Sequence, residues 1–259
     1  MTLIEPTDEQ VLDFCAEEPV ERVFLEDVAR RGLGRFFAVA DGGGKLTSLC
    51  HAGANLVPSG RGCGAYAPIA HDAHSRMIIG EANAVGELWD AARHLLPAAR
   101  EDRPGQPVYL IDRPPAAGES GLREATPADL EVLVPACAAA HREEIGIDPL
   151  ERDLDGFRWR TQAQIGEGRS WIWLEQGTIL FKAEASAWTP DAVQLQQVWV
   201  DPGARGNGYA QRGMRDLCRR LLAEVPRVCL FVRPENAPAI RVYESVGMQR
   251  TISYRSLIF

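Results

Sequence analysis

The residues Arg205-Gly206-Asn207-Gly208-Tyr209-Ala210 could do chemistry with their backbone alone. They lie between an apolar run, Val193 to Val200, and a segment from about Tyr209 to Glu224. In that segment Ala210, Met214, Leu217, Cys218, Leu221 and Leu222 share one helical face. A strand that feeds a helix through such a turn aims several N–H groups at one point, at the positive end of the helix dipole. Gly206 and Gly208 leave no side chain in the way of an approaching anion. The chemistry implied is capture of a phosphate or pyrophosphate. Rival motifs do not fit. A dinucleotide fingerprint needs a third glycine where Gln211 stands, and a triphosphate-binding loop needs Gly-Lys followed by Ser or Thr, which is absent.

Other chemistry-bearing groups are weaker. Ser59-Gly60-Arg61-Gly62-Cys63-Gly64 follows a strand, but Tyr66 to Ile69 reads as extended and is interrupted by Pro68, so a flexible loop is expected. His71 and His74 have no cysteine or acidic cluster beyond Asp72 to complete a metal set, and no metal site is expected. None of the six cysteines (Cys15, Cys50, Cys63, Cys137, Cys218, Cys229) is paired in a C-x-x-C spacing, and all but Cys63 fall in apolar segments. They read as reduced core residues of a cytoplasmic protein. A net charge of −8 gives no basic surplus to displace counterions, which argues against nucleic acid as a partner. No apolar run approaches the ~20 residues of a membrane span, and the acidic first ten residues do not read as a signal peptide.

The elements that must position the turn come next. A length of 259 residues suits two domains. The best boundary is the Pro/Gly/Ser-rich run from Arg113 to Gly121, giving domains at 1–113 and 122–259 with a linker at 114–121. The first half reads as two helices, beginning with Thr7 as N-cap and Gln10 three residues on, then strands at 35–40, 46–51, 54–57 and 76–79, a helix at 81–96 and a strand at 108–111. The second reads as a short strand at 122–125, a helix from Thr126-Pro127 to about His141, a break at 142–149 and a helical segment at 151–168. Strands at 170–175, 178–188 and 193–200 follow, then the helix from Tyr209, a strand at 227–232 and a last strand from Gln249. Both halves repeat one order of elements without residue identity. The first half has no counterpart of Arg205 to Gly208, so one site per chain is expected.

At this point residues 122–259 resemble the GNAT acetyltransferase superfamily. Val198-Trp199-Val200-Asp201-Pro202 followed by Arg205 to Ala210 matches its [Gln/Arg]-x-x-Gly-x-[Gly/Ala] turn. Asn236, Ala239 and Tyr243-Glu244-Ser245-Val246-Gly247-Met248 match its second signature, with Met248 in place of Phe. The first half looks like the degenerate amino-terminal domain of a two-domain subfamily. The resemblance implies an α/β (α+β) fold of tandem GNAT-like domains, each a mixed, mostly antiparallel sheet flanked by helices. It implies acetyl-CoA as cofactor. The backbone of Val198, Trp199 and Val200 would face the pantetheine arm, Arg205, Gly206, Asn207, Gly208, Tyr209 and Ala210 would wrap the pyrophosphate, and Asn236 would touch the other side. Tyr243 would protonate the departing thiolate. The cofactor strand carries Gln194, Gln196 and Gln197 and no acid, so the general base is sought at Glu184, Glu143 or Glu144. The expectation is direct N-acetyl transfer to a small-molecule or peptide amine in a ternary complex. The alternative is a non-catalytic acyl-CoA-binding module. A homodimer is compatible with either.

Overall fold

The computed structural model describes residues 3–259. In chain order its first half holds β1 (Leu3–Ile4), α1 (Asp8–Glu17), α2 (Val23–Arg30), β2 (Arg35–Ala40), β3 (Leu46–Ala52), β4 (Leu56–Gly60), α3 (Ala67–Ala73), β5 (Met77–Glu81), α4 (Ala82–Ala92) and β6 (Glu101–Ile111). The second holds β7 (Leu122–Glu124), α5 (Leu130–Ile145), α6 (Pro149–Gly166), β8 (Ser170–Glu175), β9 (Thr178–Trp188), β10 (Val193–Val200), α7 (Tyr209–Leu221), β11 (Val228–Phe231), α8 (Ala237–Val246) and β12 (Gln249–Ile258). The strands form one mixed sheet in the order β1-β2-β3-β4-β5-β12-β6-β11-β10-β9-β8-β7, mostly antiparallel and flanked by helices.

Two strands cross between the halves. β6, last in the first half, pairs antiparallel with β11, and β12, last in the second half, pairs antiparallel with β5. The two also pair with each other, from Gln249↔Leu110 to Ile258↔Glu101. The sequence-based division at 114–121 is therefore bridged twice within the sheet. The linker is docked as well. Asp216 on α7 accepts from the Gly118 and Ser120 backbones at 2.6 and 2.8 Å, and Arg212 and Arg219 donate to carbonyls of Gly118 and Pro115. Those two arginines hold the linker against α7. A buried pair joins the halves a third time: Arg169 donates to both oxygens of Asp27 on α2, one of which also accepts the Trp188 N–H.

Each half contains the same local device, in which a parallel strand pair forms at one end and then opens. β10 and β11 pair at Val193↔Val228 and Gln194↔Cys229 only, and β4 meets β5 at Leu56↔Ile78 only. This explains why β4 runs through Pro58 to Gly60, where the sequence suggested an end at Val57. Pro58 has no N–H to offer, and on a flank that has lost its neighbour none is required. Two further boundaries differ. Tyr66 to Ile69 is not extended: α3 begins at Ala67 with Pro68 in its first turn, where a missing N–H does no harm. α5 continues past His141 to Ile145 and stops at Gly146, whose φ of 76° only glycine adopts readily and whose N–H reaches the Arg142 carbonyl at 2.9 Å.

The turn after β4 revises the expectation that the first half lacks a phosphate-type turn. Gly60 and Gly62 have φ of 91° and 83°, the same left-handed pair as Gly206 and Gly208 at 83° and 77°. In the first half the N–H groups of Gly62 and Cys63 are taken at 2.7 and 2.8 Å by the Glu87 carboxylate of α4. The protein's own anion fills the turn. Replacing Glu87 by Ala should cost about 1–2 kcal/mol in chemical denaturation, the value of two charge-assisted bonds.

Candidate active site

The turn at Arg205–Ala210 has the opposite character. No backbone N–H from Gly206 to Gln211 donates to a protein acceptor among the described residues; the first to do so is Arg212, to the Gly208 carbonyl at 3.0 Å. A Cβ built on Gly206 or Gly208 meets nothing within 4 Å, so the space in front of these donors is open. α7 supplies its dipole behind them, on an apolar face of Met214, Leu217, Cys218 and Leu221 buried against the sheet. Donors that are orphaned, convergent and unobstructed fit the pyrophosphate of a coenzyme A. The Tyr209 ring packs edge-on against Trp173 at 4.8 Å. Asn207 braces the turn through the Ala204 carbonyl. Arg205 is engaged elsewhere, with both Glu143 oxygens at 2.8 Å and the Val200 carbonyl at 3.2 Å.

β10 leads into this turn from the opened strand pair. Its pairing with β9 slips between Gln196 and Trp199, and Gln197 takes a left-handed φ of 49°. The distortion has an anchor: the Gln197 side-chain oxygen accepts from the buried Lys182 ammonium at 2.9 Å. Beyond Gln194 the strand has therefore left β11 and bulged from β9. Its residues 194–199 line a cavity of about 800 Å³. Val198, Trp199, Asn236 and Tyr243 all line it, so the structure brings these sequence-predicted residues together. Asn236 also caps α8, its side chain accepting the Ala239 N–H at 3.2 Å.

Tyr243 stands at the cavity on α8, with only 6% of its surface exposed. Its ring leans on Tyr109 at 5.9 Å, and the Tyr109 hydroxyl is spent on Glu244. Burial, reinforced by the nearby charge of Glu144, pushes the Tyr243 phenol well above its ordinary value of 10.0. It therefore holds its proton across the physiological range.

The carboxylates divide differently from the sequence expectation. Glu184 does not line the cavity. It is buried on β9, where it pairs with the Lys182 ammonium at 2.9 Å and accepts from the Cys137 thiol at 3.0 Å. An acid held by a buried cation is a structural ion pair, and Glu184 is withdrawn as the base. Glu143 lines the cavity but is spent on Arg205 and on the Trp199 indole N–H at 3.1 Å. Glu144, in the last turn of α5, lines the same cavity as Tyr243, and its carboxylate has no partner among the described residues. His141 also faces the cavity, its pKa lowered by burial.

Sequence reasoning missed two contributors. Gln197 carries no local signal, because its conformation depends on a lysine on the neighbouring strand. The first half supplies a wall of the cavity through Glu21, Phe24, Val57, Met77 and Ile79. These residues are remote in sequence from the turn and meet it through the crossed strands and the α2 contact at Asp27. His71 and His74 bond to backbone carbonyls, all six cysteines are buried and free, and no three potential metal ligands cluster among the described residues. Among them, no helix is long and apolar enough to cross a membrane.

Residues 138–248 match the acetyltransferase (GNAT) family, and residues 34–133 match a domain of unknown function, DUF4081. No curated protein matches the chain. Among solved structures it is similar over its full length to an acetyltransferase from the GNAT family of Colwellia psychrerythraea (11% identity, TM-score 0.61, 100% of each chain covered). It is also similar to a GCN5-related N-acetyltransferase from Sphaerobacter thermophilus (17% identity, TM-score 0.61, 99% of this chain and 95% of that one). A tandem GNAT protein from the clavulanic acid biosynthesis pathway shares the fold at 14% identity (TM-score 0.57, 99% and 98% covered).

Proposed function

We propose that the protein, whose residues 138–248 match the acetyltransferase (GNAT) family and whose fold is that of tandem GNAT structures, transfers acetyl from acetyl-CoA directly to an amine. The observation that carries the proposal is the unbroken run of unpartnered N–H groups from Gly206 to Gln211, immediately beyond a strand that lines the cavity with Tyr243. Acetyl-CoA supplies an acetyl group activated as a thioester. The turn binds its phosphates through backbone donors. The opened face of β10 orients the arm, since the peptide groups freed from β11 there retain hydrogen-bonding capacity. Tyr243 holds a proton for the thiolate that must leave. Glu144 stands ready to take the proton the amine must lose, directly or through water. The thioester and the amine would meet in the cavity lined by β10 and Tyr243, in a ternary complex without a covalent enzyme intermediate.

The test is acetyl-CoA binding by calorimetry together with thiol release against a panel of amines, corrected for hydrolysis. Tight binding with no turnover on any amine would overturn the transferase reading and leave an acyl-CoA-binding module. The variant Gly206→Asp places a carboxylate among the free donors and should weaken acetyl-CoA binding by at least about tenfold. It should also lower the thermal midpoint modestly, because Gly206 has a φ of 83° that aspartate adopts only under strain, so binding is compared at a temperature where both proteins are folded.

A further inference from the structure

The far side of the cavity, across from Tyr243, is built by the first half of the chain. Glu21 in the turn between α1 and α2 lines it, with Phe24, Val57, Met77 and Ile79 as apolar neighbours. Tyr254 of β12 joins the two regions: its hydroxyl donates to the Glu21 carbonyl at 2.6 Å, and its ring lies 5.3 Å from Phe231 on β11. The carboxylate of Glu21 accepts one bond, from Ser59 Oγ at 2.6 Å. Its nearest cation, the Arg22 Nε, is 3.9 Å away. That arginine is bound to Ser59 and the Phe14 carbonyl and lies over the Phe14 ring. Glu21 is thus a mostly buried acid at a cavity wall with only a long, shared counter-charge. Burial raises its pKa, and the charges of Glu81 and Glu18 add to the rise. A cation seated against it would reverse that penalty.

The cavity therefore has an acid at each end and an apolar middle. Glu144 stands beside Tyr243, whose phenol responds to its charge. Glu21 is bonded to Ser59 of β4, and β5, β12, β6 and β11 separate β4 from β10 in the sheet, so the two acids stand toward opposite ends of the cavity. Tyr243 is itself a polar side chain more than nine-tenths buried, set at the cavity with its hydroxyl unpartnered. Resting on the transferase reading above, we propose that the acceptor is an elongated amine with a second positive group. The reacting amine lies beside Tyr243 and Glu144, an apolar body lies along Phe24, Ile79 and Tyr254, and the distal cation lies on Glu21. The first half is then a specificity element of the same site, and Glu21 is a substrate-binding residue.

The experiment compares 1,8-diaminooctane with 1-aminooctane as acceptors for the full chain and for Glu21→Gln. The expected result is a preference of at least about tenfold in kcat/KM for the diamine, one charge-assisted contact in a desolvated site. It should reside in KM, be erased by Glu21→Gln, and be partly restored by Glu21→Asp. The acetyl-CoA Kd should be unchanged in the variants, and 1-aminooctane should lose far less kcat/KM than the diamine. Equal diamine kinetics in wild type and Glu21→Gln overturn the assignment of Glu21. Bound acetyl-CoA with neither amine acetylated overturns the acceptor class, whereas failure to bind acetyl-CoA removes the transferase reading itself.

Discussion

Replacing Tyr243 by Phe should lower kcat by about 100-fold or more, the span of a positioned general acid, while acetyl-CoA binds as in the wild type. The change removes one hydroxyl and leaves the ring against Tyr109, so the α8 packing that sets the cavity is preserved. The pH dependence follows from the same environment. Burial and the charge of Glu144 hold the phenol above 10.0, so the acid stays loaded as pH rises. The rate should therefore show no alkaline fall through about pH 9, and any acid limb reflects protonation of the attacking amine. Single-turnover measurement separates this from product release. A kcat within threefold of wild type would remove Tyr243 from the chemistry.

The second large effect concerns stability. Lys182 is fully buried, and its ammonium reaches Glu184 and Gln197 at 2.9 Å. Lys182→Met would leave Glu184 charged without its partner in the core, at a cost of about 3 kcal/mol or more by chemical denaturation. A double replacement, Lys182→Met with Glu184→Leu, should recover much of the loss, because an apolar pair needs no compensation. Desolvation pulls the lysine pKa down, but Glu184 and Cys137 outweigh it and the net direction is up from 10.5. A folded-state pKa raised above the unfolded value stabilises fully below the unfolded one and fades as pH rises through the folded one. The contribution should hold at neutral pH and weaken only above about pH 10.5. The lysine also anchors the Gln197 bulge, so the double variant should show a raised KM for acetyl-CoA while its stability recovers. An unchanged KM would dissociate the bulge from the lysine.

The fold was legible where its cause is local. Strands 170–175, 178–188 and 193–200 follow from alternation and turn residues, and the start of α7 from the glycine pair ahead of its apolar face. The site was legible through the same turn and through Asn236 and Tyr243, which share one signature segment. What was not legible depends on distance along the chain. Glu184 looks like any hairpin acid until Lys182 and Cys137 close around it. Arg205 looks unpaired until Glu143, far earlier in the chain, closes on it. The plugged turn at Gly60–Gly62 resembles a loop because the carboxylate that fills it comes from Glu87, a full helix later.

The crossed strands β6 and β12 also set a timetable. Residues 1–113 leave the ribosome early, yet β5 gains its partner on one flank only when residues 249–258 have been made. Until then β5 and β6 stay apart, each with an unpaired edge, a state prone to mispairing. The first half must wait for the last strand, and the active cavity, walled by both, is completed at that same moment. Pairing across so long a stretch of chain is slow to find. A chain cut before residue 249 should therefore lose far more than a terminal strand: synthesis would stop with the sheet open at its centre.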